Sequence, residues 1–325
     1  MANWSRCANC DHLLKLEMID LSVQLAPNHP KGLLLANPVM TASGTFGYGI
    51  EYSELIDIQR LGAIVCKGTT LRPREGNPQP RLVETASGVL NSVGLENIGV
   101  EAVVKEKAPI WSKWQVPVIV NIAGETIGEY EEVAARVEGV DGIAAIEVNI
   151  SCPNMSSGGI EFCTSSLIAA EVTAKIKSVS SLPVIVKLSP NVTDIVEIAA
   201  AVHKAGADAI TLINTVRGMA IDISRCRPSL GNSVGGLSGP SIKPIALYMV
   251  YKVAGIADIP IIGCGGISCA VDAIEFLMAG ANAVEVGTAN LTSPQAALDI
   301  LDGIEQFMRE RSISDLRAII GKARC

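Results

Sequence analysis

Short apolar runs recur along the chain, each closed by a polar residue or a glycine and followed by a segment long enough for a helix. They fall at 37–42 (NPVMTA), 63–68 (AIVCKG), 116–121 (VPVIVN), 144–149 (AAIEVN), 182–188 (LPVIVKL), 208–214 (DAITLIN), 259–264 (IPIIGC) and 282–287 (NAVEVG). Several are apolar at successive positions rather than alternate ones, as a parallel strand covered on both faces requires. Between them the spacing predicts helices such as 194–205 ahead of Gly206 and 270–279 ahead of Gly280, where glycine supplies the stop. Eight strands alternating with helices predict an α/β chain folded as a (β/α)8 TIM barrel. An N-terminal β-hairpin is expected ahead of it, from 19–24 and 32–35 around the turn 27–30 (PNHP), placed to plug the N-terminal face of the barrel. Residues 68–99 and 216–239 carry no barrel element and are expected as long inserted loops over the C-terminal face.

No linker interrupts this pattern, so 19–325 reads as one domain and 1–18 as an N-terminal extension. The formal charge of −7, from 26 basic and 33 acidic residues spread along the chain, gives no footprint for nucleic acid. No apolar run reaches the roughly 18 to 20 residues of a membrane span, since even 261–283 is broken by Glu275. Nine scattered cysteines and a start without a secretory core indicate a reducing cytoplasm. Cys7 and Cys10 form a lone CxxC with no second pair, so no metal site is expected.

In this fold the chemistry sits at the C-terminal ends of the strands. Those ends carry Ser43, Lys67, Asn121, Asn149, Lys187, Asn214, Gly265 with Gly266, and Gly287 with Thr288. The glycines after strands seven and eight stand where this fold commonly holds a phosphate, because backbone N–H groups approach an anion closely only where no Cβ intervenes. Lys67 and Lys187 emerge from apolar strands and call for anionic partners. Flavin mononucleotide (FMN) meets this pattern, and so does pyridoxal phosphate, for which either lysine offers a Schiff base. The donors and acceptors of Asn121, Asn149 and Asn214 favour the flavin heterocycle. Cys152, three residues past Asn149 in a polar loop, has the thiol chemistry of a base or a nucleophile.

The ordered motifs go further. NPVMTASGTFGYG at 37–49, CKGTT at 66–70, PREGNPQPRLVETASGVLNSVGLEN at 73–97, NISCPN at 149–154, VKLSP at 186–190, NTVRGMAIDI at 214–223, GGLSGPSIKP at 235–244, and GCGGI and VGT near the end resemble the dihydroorotate dehydrogenase family from about Leu21 onward. The PREGNP loop, NTVRGMAID and a cysteine in place of serine resemble its NAD-linked class 1B. The resemblance implies oxidation of dihydroorotate to orotate in pyrimidine biosynthesis, with Cys152 removing the C5 proton and the C6 hydride passing to FMN.

It also implies that Lys67 touches flavin and substrate. Asn91, Ser92, Val93, Gly94 and Leu95, with Asn149, Asn214 and Thr215, would hold the substrate. Lys187 would serve the flavin ring, with Asn149 also at the cofactor. Ser43, Gly68, Asn121, Ile213 and Gly239 would line the ring and ribityl chain, and Gly265, Gly266, Gly287 and Thr288 the phosphate. The implied partner is an electron-transfer subunit carrying FAD and a [2Fe–2S] cluster, with a homodimer of this chain inside a heterotetramer. The 1–18 extension, with Trp4 and the CxxC, departs from the family pattern. Within the barrel class the alternatives are a dihydropyrimidine dehydrogenase-like flavin enzyme and a fumarate-linked dihydroorotate dehydrogenase. Outside enzymes the alternative is a barrel that only binds a phosphate ligand.

Overall fold

A computed structural model describes residues 19–151, 153–154 and 160–324. The 1–18 extension with Trp4, Cys7 and Cys10, and Cys152 itself, lie outside the described residues. Eight parallel strands close into a barrel: β1 (Val39–Thr41), β2 (Ala63–Val65), β3 (Val118–Ile122), β4 (Ala145–Asn149), β5 (Val184–Leu188), β6 (Ala209–Leu212), β7 (Ile261–Cys264) and β8 (Ala283–Val286). Each pairs with its neighbour in sequence, and β8 returns to β1 through Val284↔Val39 and Val286↔Thr41. Every expected strand is present, trimmed by a few residues at its ends.

The helices cover the outside because their apolar positions recur at helical spacing. Ile127–Val137 buries Tyr130, Val133, Ala134 and Val137, a stripe at i, i+3, i+4 and i+7. Its start is fixed by Thr126, whose side chain accepts from Glu129 N. Ile195–Lys204 starts in the same way on Asp194, and Ala270–Ala279 stops at Gly280 in the left-handed conformation, φ 118°. Each fully buried Val, Ile or Leu contributes about 1.5 to 3 kcal/mol relative to exposure, so the strand and helix contacts set the frame on which the site stands.

The hairpin forms as expected, Val23–Gln24 against Leu34–Leu35. Leu25 and Leu35 are fully buried, and Lys31 Nζ reaches Ser181 Oγ at 2.8 Å, just before β5, so the hairpin does cap the N-terminal face. The two long segments are not plain loops. Leu82–Thr85 and Gly88–Asn91 from the first, with Val216–Gly218 and Gly235–Ser238 from the second, make a four-stranded antiparallel sheet that roofs the opposite face. No helix among the described residues is long and apolar enough to cross a membrane.

Candidate active site

Parallel registration places a polar layer inside the barrel. Asn121 is in register with Glu147, Lys187 with Thr211, and Cys264 with Glu285, so these six residues from β3 to β8 face one interior. Glu147 and Glu285 are 0% and 1% exposed and Lys187 4%, which makes their pairing obligatory. Lys187 Nζ lies 2.5 Å from Glu285 Oε2 and 3.6 Å from Glu147 Oε1. Asn121 Nδ2 donates to Glu147 Oε1 at 2.7 Å, and Thr211 Oγ1 lies 3.0 Å from Glu147 Oε2.

Burial works against every charge in this layer. At Lys187 it is outweighed by Cys264, Glu147 and Glu285, which hold the ammonium above its ordinary value. Burial pushes the Cys264 thiol up to about 12, leaving it neutral near physiological pH, so the counter-charge comes from the carboxylates. Burial and then the charge of Glu147 push Glu285 well above the carboxylate range. Glu147 goes the other way: burial is overcome by Lys187 and by hydrogen bonds from Glu285, Asn121 and Thr211.

Above this layer opens a cavity of about 1140 Å³. Lys67, Asn91, Ser92, Val93, Gly94, Leu95, Asn149, Asn214 and Thr215 line it, as do Ser43, Gly68, Asn121, Lys187, Ile213, Gly239, Gly265, Gly266, Gly287 and Thr288. All the expected site residues except Cys152, which is outside the described residues, therefore meet in one space. The loop that leads to Cys152 is tied to the cavity wall: Asn214 Nδ2 donates to Asn149 Oδ1 at 3.1 Å and to Ser151 Oγ at 3.0 Å, and Tyr130 Oη donates to the Asn149 carbonyl at 2.6 Å.

The 91–95 loop hangs from the roof. Asn91 pairs with Gly236, and Asn77 binds the Val93 carbonyl through its N–H and Ser92 Oγ through its amide. Leu95 takes a positive φ of 56°, strained for a branched side chain, and Asn97 holds it there. Asn97 Nδ2 donates to the Leu95 carbonyl at 2.7 Å and to Thr70 Oγ1 at 2.8 Å, while its Oδ1 accepts from the N–H groups of Gly99 and Thr70. Replacing Asn97 with alanine removes all four bonds from a buried position. The expected loss is about 2 to 4 kcal/mol in urea unfolding, with weaker substrate binding in the folded fraction; a variant as stable as the parent would deny Asn97 this role.

A phosphate-tailed flavin can be tested against these atoms. Asn121 Oδ1 is buried without a partner among the described residues, an acceptor aimed at the cavity once its amide nitrogen is committed to Glu147. The Lys67 side chain is half-buried with no hydrogen bond or ion pair among the described residues, so it is free to meet an anion. At Gly265 and Gly266, φ is 124° and 79°, and a Cβ on Gly266 would stand 2.6 Å from Lys243 N, so only bare backbone fits there. Acceptor, cation and backbone cradle fit the ring and phosphate of a flavin mononucleotide.

Sequence reasoning missed Glu147, Glu285 and Thr211, as well as Ser151 and Asn77. Its only signal for the first two was a carboxylate inside an otherwise apolar strand, at AIEVN and AVEV.

A closed parallel barrel with a polar floor and a roofed cavity at the C-terminal ends of its strands is the architecture of a barrel enzyme. The chain belongs to the dihydroorotate dehydrogenase family, whose sequence profile (Dihydroorotate dehydrogenase) matches residues 26–308. It is similar to proteins named dihydroorotate dehydrogenase B (NAD(+)), catalytic subunit. That of Desulforamulus reducens is 57% identical over 289 residues, 89% of this chain and 95% of the relative. Those of Geotalea daltonii and Alkaliphilus oremlandii are 52% and 54% identical, covering 93% and 90% of this chain and 97% of each relative.

Proposed function

We propose that this chain oxidises dihydroorotate to orotate in pyrimidine biosynthesis, as the FMN-bearing catalytic subunit of a cytoplasmic NAD-linked enzyme. The observation that carries this reading is the convergence of the expected substrate and cofactor residues, from all eight strands and the roof, on one cavity. Bound flavin supplies a two-electron acceptor for the C6 hydride. Cys152 takes the C5 proton onto its sulfur, so that the C5–C6 double bond forms as both hydrogens leave. Asn149, Asn214 and Thr215 orient the pyrimidine edge against the 91–95 loop, and Lys67 balances negative charge where ring and substrate meet. Lys187 and Asn121 present a cation and an acceptor to the cofactor ring. Gly265, Gly266, Gly287 and Thr288 hold its phosphate with backbone and hydroxyl donors.

The electrons leave through a partner. The names of the relatives call each a catalytic subunit, and we assign the partner FAD and a [2Fe–2S] cluster. The assembly is a heterotetramer built on a homodimer of this chain. Exposed apolar side chains beside the roof, Met219, Ile221 and Ile223, offer surface for such contacts.

The test is anaerobic. The purified chain is expected to be yellow, with about one noncovalent FMN, to bleach on addition of dihydroorotate, and to stay bleached when NAD is added alone. A colourless protein that takes up no FMN would defeat the reading. Rapid reoxidation by NAD alone would remove the partner, turnover with fumarate would move the chain to the fumarate-linked class, and reoxidation of the reduced flavin by uracil, with uracil reduced, would favour a dihydropyrimidine dehydrogenase-like enzyme.

A further inference from the structure

Glu147 and Glu285 are buried carboxyl groups that the proposed reaction does not use. Neither lines the cavity, whereas Lys187, which both of them touch, does. Two carboxylates around one ammonium, all nearly or fully buried, raise the question of how many protons the cluster holds.

Thr211 answers it by geometry. Its hydroxyl oxygen is 3.0 Å from Glu147 Oε2 and 3.3 Å from Glu285 Oε1, yet a hydroxyl donates only one hydrogen bond. With the hydroxyl donating to one carboxyl group, the remaining contacts are satisfied when the other is protonated, its proton directed at Thr211 or straight at its partner carboxylate. Lys187 is nearer to Glu285, but Glu147 has Asn121 as an additional donor, and Asn121 also faces the cavity. Glu147 is therefore the better-solvated anion and Glu285 the acid, although the two titrate as one pair. The opposite pKa directions of the two groups agree with this. Lys187⁺, Glu147⁻ and neutral Glu285 sum to zero, with the ammonium at the cavity wall.

We propose that Glu147 and Glu285 are positioning residues for Lys187: holding one proton between them, they fix its ammonium at the cofactor cavity and keep the cluster neutral, which sets the electron affinity of the bound flavin. The inference rests on the flavin reading above. It has an unusual consequence. With Glu285 replaced by glutamine, Glu147 keeps its charge. With Glu147 replaced, the repulsion that held the proton on Glu285 is gone, and Lys187 at 2.5 Å ionises it. Each single variant keeps a neutral cluster, and only the double variant leaves Lys187 unbalanced.

Two measurements test this on E147Q, E285Q and E147Q/E285Q. The first is infrared spectroscopy of the flavin-free protein near neutral pH. One buried protonated carboxyl band, shifting in D2O, is expected in the parent and absent from both single variants; its absence from the parent overturns the shared proton whatever cofactor binds. The second is the flavin midpoint potential of the reconstituted proteins. The double variant should favour reduced flavin by about tenfold or more, about 30 mV for a two-electron couple, and each single variant by much less. Equal, additive rises in the single variants would mean two ionised carboxylates, and an unmoved potential in the double variant would make the pair merely structural. A parent that takes up no flavin would end the flavin reading and the link to it, while the infrared measurement still decides the proton.

Discussion

Cys152→Ala is expected to bind its full complement of FMN while reduction by dihydroorotate slows by roughly 10² to 10⁴, the usual worth of a positioned general base. The cofactor's expected contacts come from the ends of all eight strands and Gly239, of which only Asn149 stands close to Cys152 in sequence, so removing the thiol leaves them in place. A thiol, with an ordinary pKa near 8.5, accepts a proton near neutral pH far better than a hydroxyl does, so Cys152→Ser should recover little. In the parent, the rate of flavin reduction should rise with pH as the thiolate fraction grows. Stopped-flow absorbance at the flavin band measures all three. Reduction of the alanine variant at the parental rate would return Cys152 to a structural role.

Lys187→Met should cost about 3 to 5 kcal/mol of stability, because it strips from a buried anion the only cation paired with it among the described residues. The sign of its pH dependence follows from the cluster. Without Lys187, the remaining carboxylate has a folded pKa above its unfolded one, so the folded state binds more protons than the unfolded and stability falls as pH rises. The penalty is therefore largest at neutral pH and shrinks as the pH is lowered and the pair takes up a second proton. Urea unfolding at a series of pH values reads this directly. A loss that is independent of pH would point to packing alone.

The barrel was legible because strands covered on both faces must be apolar throughout. The AAIEVN run resolves to Ala145–Asn149, LPVIVKL to Val184–Leu188, and the helix at 270–279 has the same bounds in the structure. The polar residues at the strand ends were legible for the related reason that such a residue interrupts an apolar run. The roof was not. Its strands are three or four residues long, rich in glycine and half-exposed, and Asn91 finds its partner Gly236 only through tertiary structure. The carboxyl pair escaped for a different reason. A Glu in the middle of a strand points inward or outward depending on register, and whether it meets another charge depends on strands far away in sequence. Glu147 and Glu285 meet around Lys187 because closure of the barrel brings β4, β5 and β8 to one interior.

The roof also orders events in time. Asn91 and Gly236 are 145 residues apart, and a contact at that separation carries a large loop-closure entropy unless something else has already drawn its ends together. Here that something is the barrel, whose strands pair with their immediate sequence neighbours and so can zip in sequence order until β8 meets β1. Asn91 follows β2 and Gly236 follows β6, so the pairing that shapes the mouth comes after the strands between them, and that part of the chain is expected to become compact before it is able to bind.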